Sequence, residues 1–364
     1  MPLIVDGITG VTFNDASLQG AAASPFGLKN RIINGDMQID QRNNGASVTP
    51  TSPGATYTLD RWRVETAGGG VYTVQRSTVA PSGFINSLLV TVTTADSSIA
   101  AADYYNFQQF IEGFNVADLA WGTANAQTIT VSFWVRSSVT GTFAGSICNS
   151  GGTRSYVFTY TISAANTWEK KSITIPGDTS GTWLTNNGRG IILGFDLGNG
   201  SDYQATAGSW ISSYAIATSS SVKLISTVGA TFYMTGVQLE RNTTATPFEW
   251  IPYTTELQLC QRYLPSTGAG TNGGVFAAQA YSSTLAFVTI PFPVTARVNP
   301  TGITTSGTFL SLTAAGGTNA ATITYNRSGN QSAGLTVTTT GIVGGNATML
   351  LCDNGSILFT GCEL

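Results

Sequence analysis

Aromatic rings close to amide and charged side chains are the best candidates for a binding site in this sequence. Sugars stack their ring faces on aromatic side chains, and their hydroxyl groups exchange hydrogen bonds with amides and carboxylates. Long polar loops carry both kinds of side chain. The candidate glycan-binding residues are Trp183, Asn187, Arg189, Asp202, Tyr203, Trp210 and Tyr214, with Asn186 beside them. Two alternatives stay open: tryptophans in a β-rich chain often lie in the core, and Tyr281 or Tyr325 could instead be displayed at a distal tip.

Pairs of acidic residues are the candidates for a hydrolytic site, because glycosidases place two carboxylates across one cleft. The pairs close in sequence are Asp36 with Asp40, Asp96 with Asp103, and Asp196 with Asp202. Asp36 and Asp40 lie in a turn-rich phrase, where short acidic side chains commonly cap turns. Asp60 is next to Arg61 and near Arg63, which favours a structural ion pair. No parallel β-helix repeat is visible. We therefore predict no catalytic residues and no enzyme.

The sequence offers few residues for metal binding or redox chemistry. The chain has no histidine, the commonest general base and metal ligand. Cys148, Cys260, Cys352 and Cys362 show no C-x-x-C spacing, so buried free thiols are favoured, although the last two could meet across a hairpin. Oxygen-bearing side chains in the loop 195–210 could hold Ca²⁺, but the spacing is not that of an EF-hand and a surface loop is the simpler interpretation. We predict no metal and no cofactor.

The amino-acid composition limits the kinds of partner that this protein is expected to bind. Only 10% of the 364 residues are charged, against roughly 25% in ordinary soluble domains. The formal net charge is -3, and no basic patch is visible, so nucleic acid is not an expected partner. We find no secretory signal in the first 20 residues and no apolar run of the length that a membrane span requires. A low-charge surface rich in Thr, Ser, Asn and Gly is typical of proteins that pack against copies of themselves.

Most of the chain has an all-β pattern. Between Asn30 and Glu240, strand-like segments recur with turn signals between them; candidates include Thr56–Val64, Thr128–Arg136 and Thr231–Glu240. In Thr128–Arg136, apolar residues alternate, so Ile129, Val131, Phe133 and Val135 should share the core face while Trp134 points away. This regular spacing predicts a β-sandwich, most simply a jelly roll.

A short joint and a second β-block follow. Thr254–Leu264 has helical character, with Glu256 early, Arg262 late and Pro265 as its stop. Beyond Pro265 the only charged side chains are Arg297, Arg327, Asp353 and Glu363. Asp353-Asn354-Gly355 predicts a hairpin turn. Strands with so little charge need covered edges, which favours burial in a homo-oligomer.

Four regions result: an attachment or oligomerisation segment (1–28), the sandwich (29–246), a linker with the helix (247–265) and a low-charge β-domain (266–364). The first region carries two strand-like pieces separated by the turn dipeptide Asp6-Gly7 and is too short to bury its own core. We expect it to pair with other proteins, although a poorly ordered tail is the alternative.

Several phrases resemble structural proteins of tailed bacteriophages, chiefly tail fibres and receptor-binding components. They are GVQLE, ATPFEW and ELQLCQRYL between residues 236 and 264, NRIINGDMQIDQRNNG at Asn30–Gly45, YTLDRW at Tyr57–Trp62, and a DGxxGVTFND-like leader. The sandwich also resembles carbohydrate-binding jelly rolls with a WxxTGVQLE-like closing strand, where Phe232 or Tyr233 here replaces the tryptophan.

The resemblance implies a non-enzymatic virion protein made in the host cytoplasm, most simply a tail fibre that binds a host glycan or protein. It also implies that residues 1–28 dock on other virion proteins and that the homo-oligomer is a trimer, as phage fibres usually are. A capsid decoration or head-fibre protein is the main alternative. A glycan depolymerase is the third.

Overall fold

The described part of the chain contains two large β-units joined by a short helix, and a small sheet near its start. The computed structural model describes residues 4–6, 10–12, 18–19, 28–267, 274–313 and 315–364. Near the start, three short antiparallel strands form a small sheet: β1 (Ile4–Asp6), β2 (Gly10–Thr12) and β3 (Leu18–Gln19). The predicted all-β class, with a sandwich, a short helix and a smaller C-terminal β-domain, is confirmed. The trimer and the domain boundaries stay predictions.

The first layer of the sandwich, sheet A, has seven antiparallel strands in the order β14-β11-β10-β13-β8-β5-β4. Their bounds are β4 (Gly54–Tyr57), β5 (Trp62–Ala67), β8 (Tyr104–Glu112), β10 (Gly141–Cys148), β11 (Ser155–Ile162), β13 (Arg189–Asp196) and β14 (Trp210–Ile211). Side chains alternate along β8: Phe107 lies in the core between the layers, whereas Gln108 and Phe110 lie on the outer face of the sheet. Both are buried there, and Phe110 packs in a second apolar cluster with Cys260 and Tyr263 of the joint.

The second layer, sheet B, has five strands in the order β12-β9-β15-β7-β6. Their bounds are β6 (Val71–Ser77), β7 (Ser87–Thr94), β9 (Ile129–Ser137), β12 (Glu169–Ile175) and β15 (Thr231–Glu240). The predicted alternation in β9 is confirmed, because its four apolar residues are fully buried and Trp134 is not. Phe133 meets Phe195 of sheet A edge-on, with ring centroids 5.2 Å apart, so the two layers share one aromatic core.

The strand predicted over Thr56–Val64 is wrong. Residues 58–61 form the loop of a hairpin between β4 and β5, in which the Thr58 N–H donates to the Trp62 carbonyl and the Trp62 N–H donates to the Leu59 carbonyl. Arg61 has a φ of 69°, which is incompatible with an extended strand.

Helix α1 (Tyr253–Gln261) ends three residues before the predicted limit, because Arg262, Tyr263 and Leu264 continue as a turn and Pro265 disfavours helix before it. The turn is fixed to sheet A by Glu112, which accepts two hydrogen bonds from Arg262, at 2.6 and 2.8 Å, and one from the Tyr263 hydroxyl at 2.7 Å. Arg61 is buried with its guanidinium 3.5 Å from the centre of the Tyr263 ring. In the segment Asn30–Gly45, the Asn34 N–H donates to Glu256 of the helix and Gln41 Nε2 donates to the Leu264 carbonyl. This segment, Tyr57–Trp62 and the helix therefore meet in one joint.

The C-terminal unit, sheet C, is an antiparallel sheet in the order β20-β19-β23-β17-β18-β22-β21, with β16 also paired to β23. Its strands are β16 (Ser266–Thr267), β17 (Gly274–Ala280), β18 (Leu285–Pro291), β19 (Gly302–Leu312), β20 (Thr318–Ala320), β21 (Thr322–Ser328), β22 (Ser332–Thr338) and β23 (Ala347–Thr360). It has its own apolar core, which includes Leu335, Leu350 and Phe359.

The hairpin predicted at Asp353-Asn354-Gly355 is also wrong. β23 runs unbroken through these residues, and its register with β19 shifts so that Asn354 and Gly355 lie opposite Gly307. Asn354 has a φ of 54° and Gly307 a φ of 77°. A β-bulge and a tight turn both need residues with positive φ, and an Asn-Gly pair suits either one. The local sequence therefore could not distinguish a bulge from a hairpin turn. All four cysteines are buried free thiols, as predicted.

Candidate functional site

The structure divides the predicted glycan-binding residues into two groups. Trp183 and Trp210 pack with Trp121 at the margin of the sandwich core, with ring centroids 4.7 to 5.5 Å apart. Each of the three indole N–H groups donates to a backbone carbonyl, that of Trp210 to Pro176 at 2.8 Å. The cavity beside Trp121 and Trp183 has a volume of about 10 Å³, which is too small for a sugar. These tryptophans therefore close one end of the core.

The second group lies on the outer face of sheet A. We call this set of residues the outer-face patch: Arg63, Glu65, Gln108, Phe110, Arg189, Tyr203 and Tyr214. Arg63 and Gln108 are directly opposed in neighbouring strands, and Ile192 of β13 is opposed to Phe110. Three predicted residues, Arg189, Tyr203 and Tyr214, thus meet four that sequence reasoning missed.

A signal for the missed residues was present. Polar residues alternate with core aromatics in β8, whose sequence is YYNFQQFIE, and in the phrase RWRVE that enters β5. Alternation with a polar second face indicates an outward-facing surface.

One end of the outer-face patch is cationic. The guanidinium groups of Arg63 and Arg189 lie 4.8 and 4.4 Å from the centre of the Phe110 ring. Arg63 forms an ion pair with Glu65. Burial lowers the pKa of Arg189, and the neighbouring positive charge of Arg63 lowers it further.

The other end of the outer-face patch combines amide, carboxylate and phenol groups. Gln108 Nε2 donates to Glu65 Oε2 at 3.1 Å and approaches the Tyr214 hydroxyl at 3.3 Å. The ring of Tyr203 contacts Tyr104 and Tyr214 edge-on, at 5.7 and 6.0 Å between centroids. Burial raises the pKa of both Tyr203 and Tyr214, so their hydroxyls stay protonated and can donate to a ligand.

The remaining predicted residues lie elsewhere. Asn187 is exposed, and its carbonyl accepts a hydrogen bond from Arg297 at 3.0 Å. Asp202 is exposed in a short turn after β13. Of the alternative distal residues, Tyr281 is 73% exposed, whereas the Tyr325 hydroxyl donates to the Pro300 carbonyl.

The acidic residues considered for catalysis are largely structural. Asp40 accepts hydrogen bonds from the backbone of Asn43 and Gly45, which confirms its predicted role in a turn. The predicted ion pair of Asp60 is wrong: its carboxylate is buried and accepts from the backbone and side chain of Gln41. Arg61 and Arg63 pair instead with Glu363 and Glu65, because both guanidinium groups lie against Phe110, away from the Asp60 carboxylate bound to Gln41. Burial raises the pKa of Asp60 to about 6.

Asp196, considered as a calcium ligand, organises the loop after β13 through hydrogen bonds. Its Oδ1 accepts from the backbone of Gly198 and Asn199, each at 2.8 Å, and its Oδ2 accepts from Ser221 Oγ at 2.8 Å. Within the described ranges no group of three or more acidic or cysteine residues is placed to hold a metal ion. No helix in the same ranges is both long and apolar enough to span a bilayer.

Comparison with known proteins gives weak likenesses. No family model and no curated protein matches the sequence. Among solved structures, the enzymatically active domain of tailspike protein 4 of bacteriophage CBA120 has a TM-score of 0.29 and 16% identity, over 50% of this chain and 19% of that chain. A family 11 carbohydrate-binding module from Clostridium thermocellum, in complex with a mixed-linked tetrasaccharide, has a TM-score of 0.27 and 12% identity, over 52% of this chain and 97% of that chain. A family 4 carbohydrate-binding module has a TM-score of 0.29 and 15% identity, over 57% of this chain and 98% of that chain. TM-scores this low carry no inference about ligand, activity or partner.

Proposed function

We propose that this protein is a non-enzymatic, glycan-binding component of a bacteriophage virion, of the tail-fibre or receptor-binding type. The observation that carries the proposal is the outer-face patch, where the side chains of Arg63, Glu65, Arg189, Tyr203 and Tyr214 are partly exposed on one surface of a rigid sheet. Gln108 and Phe110 are buried beneath them and hold them in place. Such a surface supplies ring faces for stacking and both donors and acceptors for sugar hydroxyls. The phage-like phrases in the sequence support the virion setting.

The structure offers a scaffold suited to this role. The core of the outer-face patch lies on strands β5, β8 and β13, so the spacing of those side chains is set by backbone pairing. Binding to a rigid surface avoids the entropy cost of ordering loops on association. Tyr203 lies on the loop between β13 and β14, whose first residues are fixed by Asp196, and Tyr214 follows β14.

A glycan array tests the binding proposal. We expect the full chain to bind a subset of the glycans on the array. Tyr203→Ala should reduce the affinity for them about tenfold, because loss of a stacking ring costs roughly 1 to 1.5 kcal/mol. Tyr281→Ala is the matched control, since Tyr281 is an exposed tyrosine on the distal unit. Loss of binding on Tyr281→Ala alone would move the site to the distal tip. Absence of any bound glycan would refute the proposal.

The place on the virion needs a separate experiment. We expect an antibody against residues 274–364 to label tail tips in electron micrographs, and a chain lacking residues 1–28 to stay soluble without joining particles. Label over the head would favour the alternative of a capsid decoration or head-fibre protein. Normal incorporation of the truncated chain would refute attachment through residues 1–28.

A further inference from the structure

We propose that the outer-face patch selects acidic glycans, with Arg189 and Arg63 binding a carboxylate or phosphate carried by the sugar. This inference rests on the proposed glycan-binding function and names the class of ligand. It starts from Arg189. Among the described residues, this side chain makes no hydrogen bond and no ion pair, although its guanidinium is half-buried against Phe110.

The donors of Arg189 are not engaged by the described part of the protein. A guanidinium carries five donors, and two other partly buried arginines direct theirs at carboxylates: Arg154 is bidentate to Asp178 and Arg262 is bidentate to Glu112. Arg189 instead stacks on Phe110, and its nitrogen atoms remain accessible to solvent and to a ligand. Arg189 is therefore oriented by the ring with its hydrogen-bonding capacity unused.

The charges that face Arg189 add up to a positive site. They are the guanidinium groups of Arg63 and Arg297 and the carboxylate of Glu65, with the phenol of Tyr57 nearby. Arg297 donates to the backbone carbonyls of Asn187, Cys362 and Glu363, so its charge has no carboxylate partner in these contacts. Glu112 is opposed to Arg189 in the strand pairing, but its carboxylate is already bidentate to Arg262, so a positive excess remains around Arg189.

This local excess contrasts with the rest of the molecule. The chain has a formal net charge of -3 and only 16 lysines and arginines in 364 residues. A cationic cluster in such a sequence is not a by-product of general basicity. An anion bound at Arg189 would restore local neutrality and relieve the repulsion from Arg63 that lowers the pKa of Arg189.

The neighbouring groups indicate that the anion belongs to a sugar. Arg63 connects through Glu65 to Gln108, and Gln108 to Tyr214, so the cationic end is continuous with the amide and phenol end. A free inorganic anion would need only the guanidinium groups. A planar guanidinium binds carboxylate and phosphate alike in a bidentate fork, so both acidic sugar types fit the site.

The test compares acidic and neutral versions of the same glycan. Galacturonate oligosaccharides are paired with their methyl esters, and phosphorylated mannose oligosaccharides with unphosphorylated ones, on an array that also carries bacterial surface glycans in native and carboxyl-reduced forms. We expect wild type to prefer the acidic member of at least one pair by roughly tenfold to a hundredfold, as for charge-assisted hydrogen bonds. The preference should weaken as salt is raised.

Arg189→Gln should abolish the preference, because binding of the acidic member of a pair should fall to the level of its neutral partner. Arg136→Gln is the matched control, because Arg136 also lies over an aromatic ring, that of Tyr233 at 5.0 Å, but on sheet B. Thermal unfolding confirms that both variants fold. Equal binding of acidic and neutral members by wild type, or an unchanged preference in Arg189→Gln, would overturn the inference while the proposed function stands. Absence of all glycan binding would overturn both.

Discussion

At the scale of single residues, buried carboxylates in the joint make stability depend on pH. Burial raises the pKa of Glu256 from its ordinary value of 4.5 to about 7, and the nearby charges of Asp36 and Glu249 raise it as well. The hydrogen bond from the Asn34 N–H stabilises the carboxylate and lowers the pKa, but by less than burial raises it. Between these two pKa values the folded chain holds a proton that the unfolded chain releases. The free energy of unfolding should therefore fall as pH rises from 4.5 to 7.

Glu256→Gln should remove this part of the pH dependence. The glutamine keeps an oxygen that can accept the Asn34 N–H but carries no charge. At pH 8 we expect the variant to be more stable than wild type by about 2 to 3 kcal/mol, and at pH 4 the two should be similar. Urea unfolding at both pH values measures the difference. Asp202→Asn, which removes an exposed acid, controls for net charge. Equal stability of Glu256→Gln and wild type at pH 8 would contradict the assignment.

Strands in which apolar and polar residues alternate could be predicted from the sequence. Features that depend on contacts between residues far apart in the chain could not. In β9, the apolar period of two fixes which side chains face the core, so the sequence alone located that strand and its buried face. The outer-face patch joins Arg63, Gln108 and Arg189 from strands far apart in the chain. Their meeting depends on the strand order β13-β8-β5, which no local pattern encodes. The sequence left two positions open for the tryptophans, because composition does not show which side of a sheet a ring occupies.

The bulge in β23 gives a prediction at the scale of an element. A Cβ at Gly307 would overlap the Asn354 carbonyl oxygen and lie 2.6 Å from Gly355 Cα, both backbone atoms that cannot rotate away. Gly307→Ala should therefore destabilise sheet C by about 3 kcal/mol, from the clash and the positive φ together.

Gly345→Ala separates these two causes. Gly345 has a φ of 86°, and no heavy atom lies within 4 Å of the point that an alanine Cβ would occupy, so its substitution carries only the backbone strain, about 1 kcal/mol. Chemical unfolding of the two variants gives the comparison. Similar losses in both would show that the β19–β23 bulge is not tightly packed around Gly307.

At the scale of the whole molecule, the open face of sheet C is the feature that most favours self-association. Val275 of β17 and Met349 of β23 are 59% and 44% exposed, and strand register places both on one face together with Phe287 of β18. Only four charged residues follow Pro265 in the sequence, so few charges are available to keep this face in solvent. Exposed apolar faces of this kind commonly mark association sites.

If copies of the chain meet through this face, a charge placed on it should separate them. We expect the full chain to behave as a trimer in light scattering coupled to size exclusion, and Val275→Glu to shift it toward monomer, because association would bury an unpaired carboxylate. Ile85→Glu is the control, since Ile85 is 68% exposed on the sandwich. A monomeric wild-type chain would rule out self-association under these conditions. If Ile85→Glu gives monomers and Val275→Glu does not, the contact between copies lies on the sandwich. The apolar face of sheet C would then be covered by a partner other than a second copy of the chain.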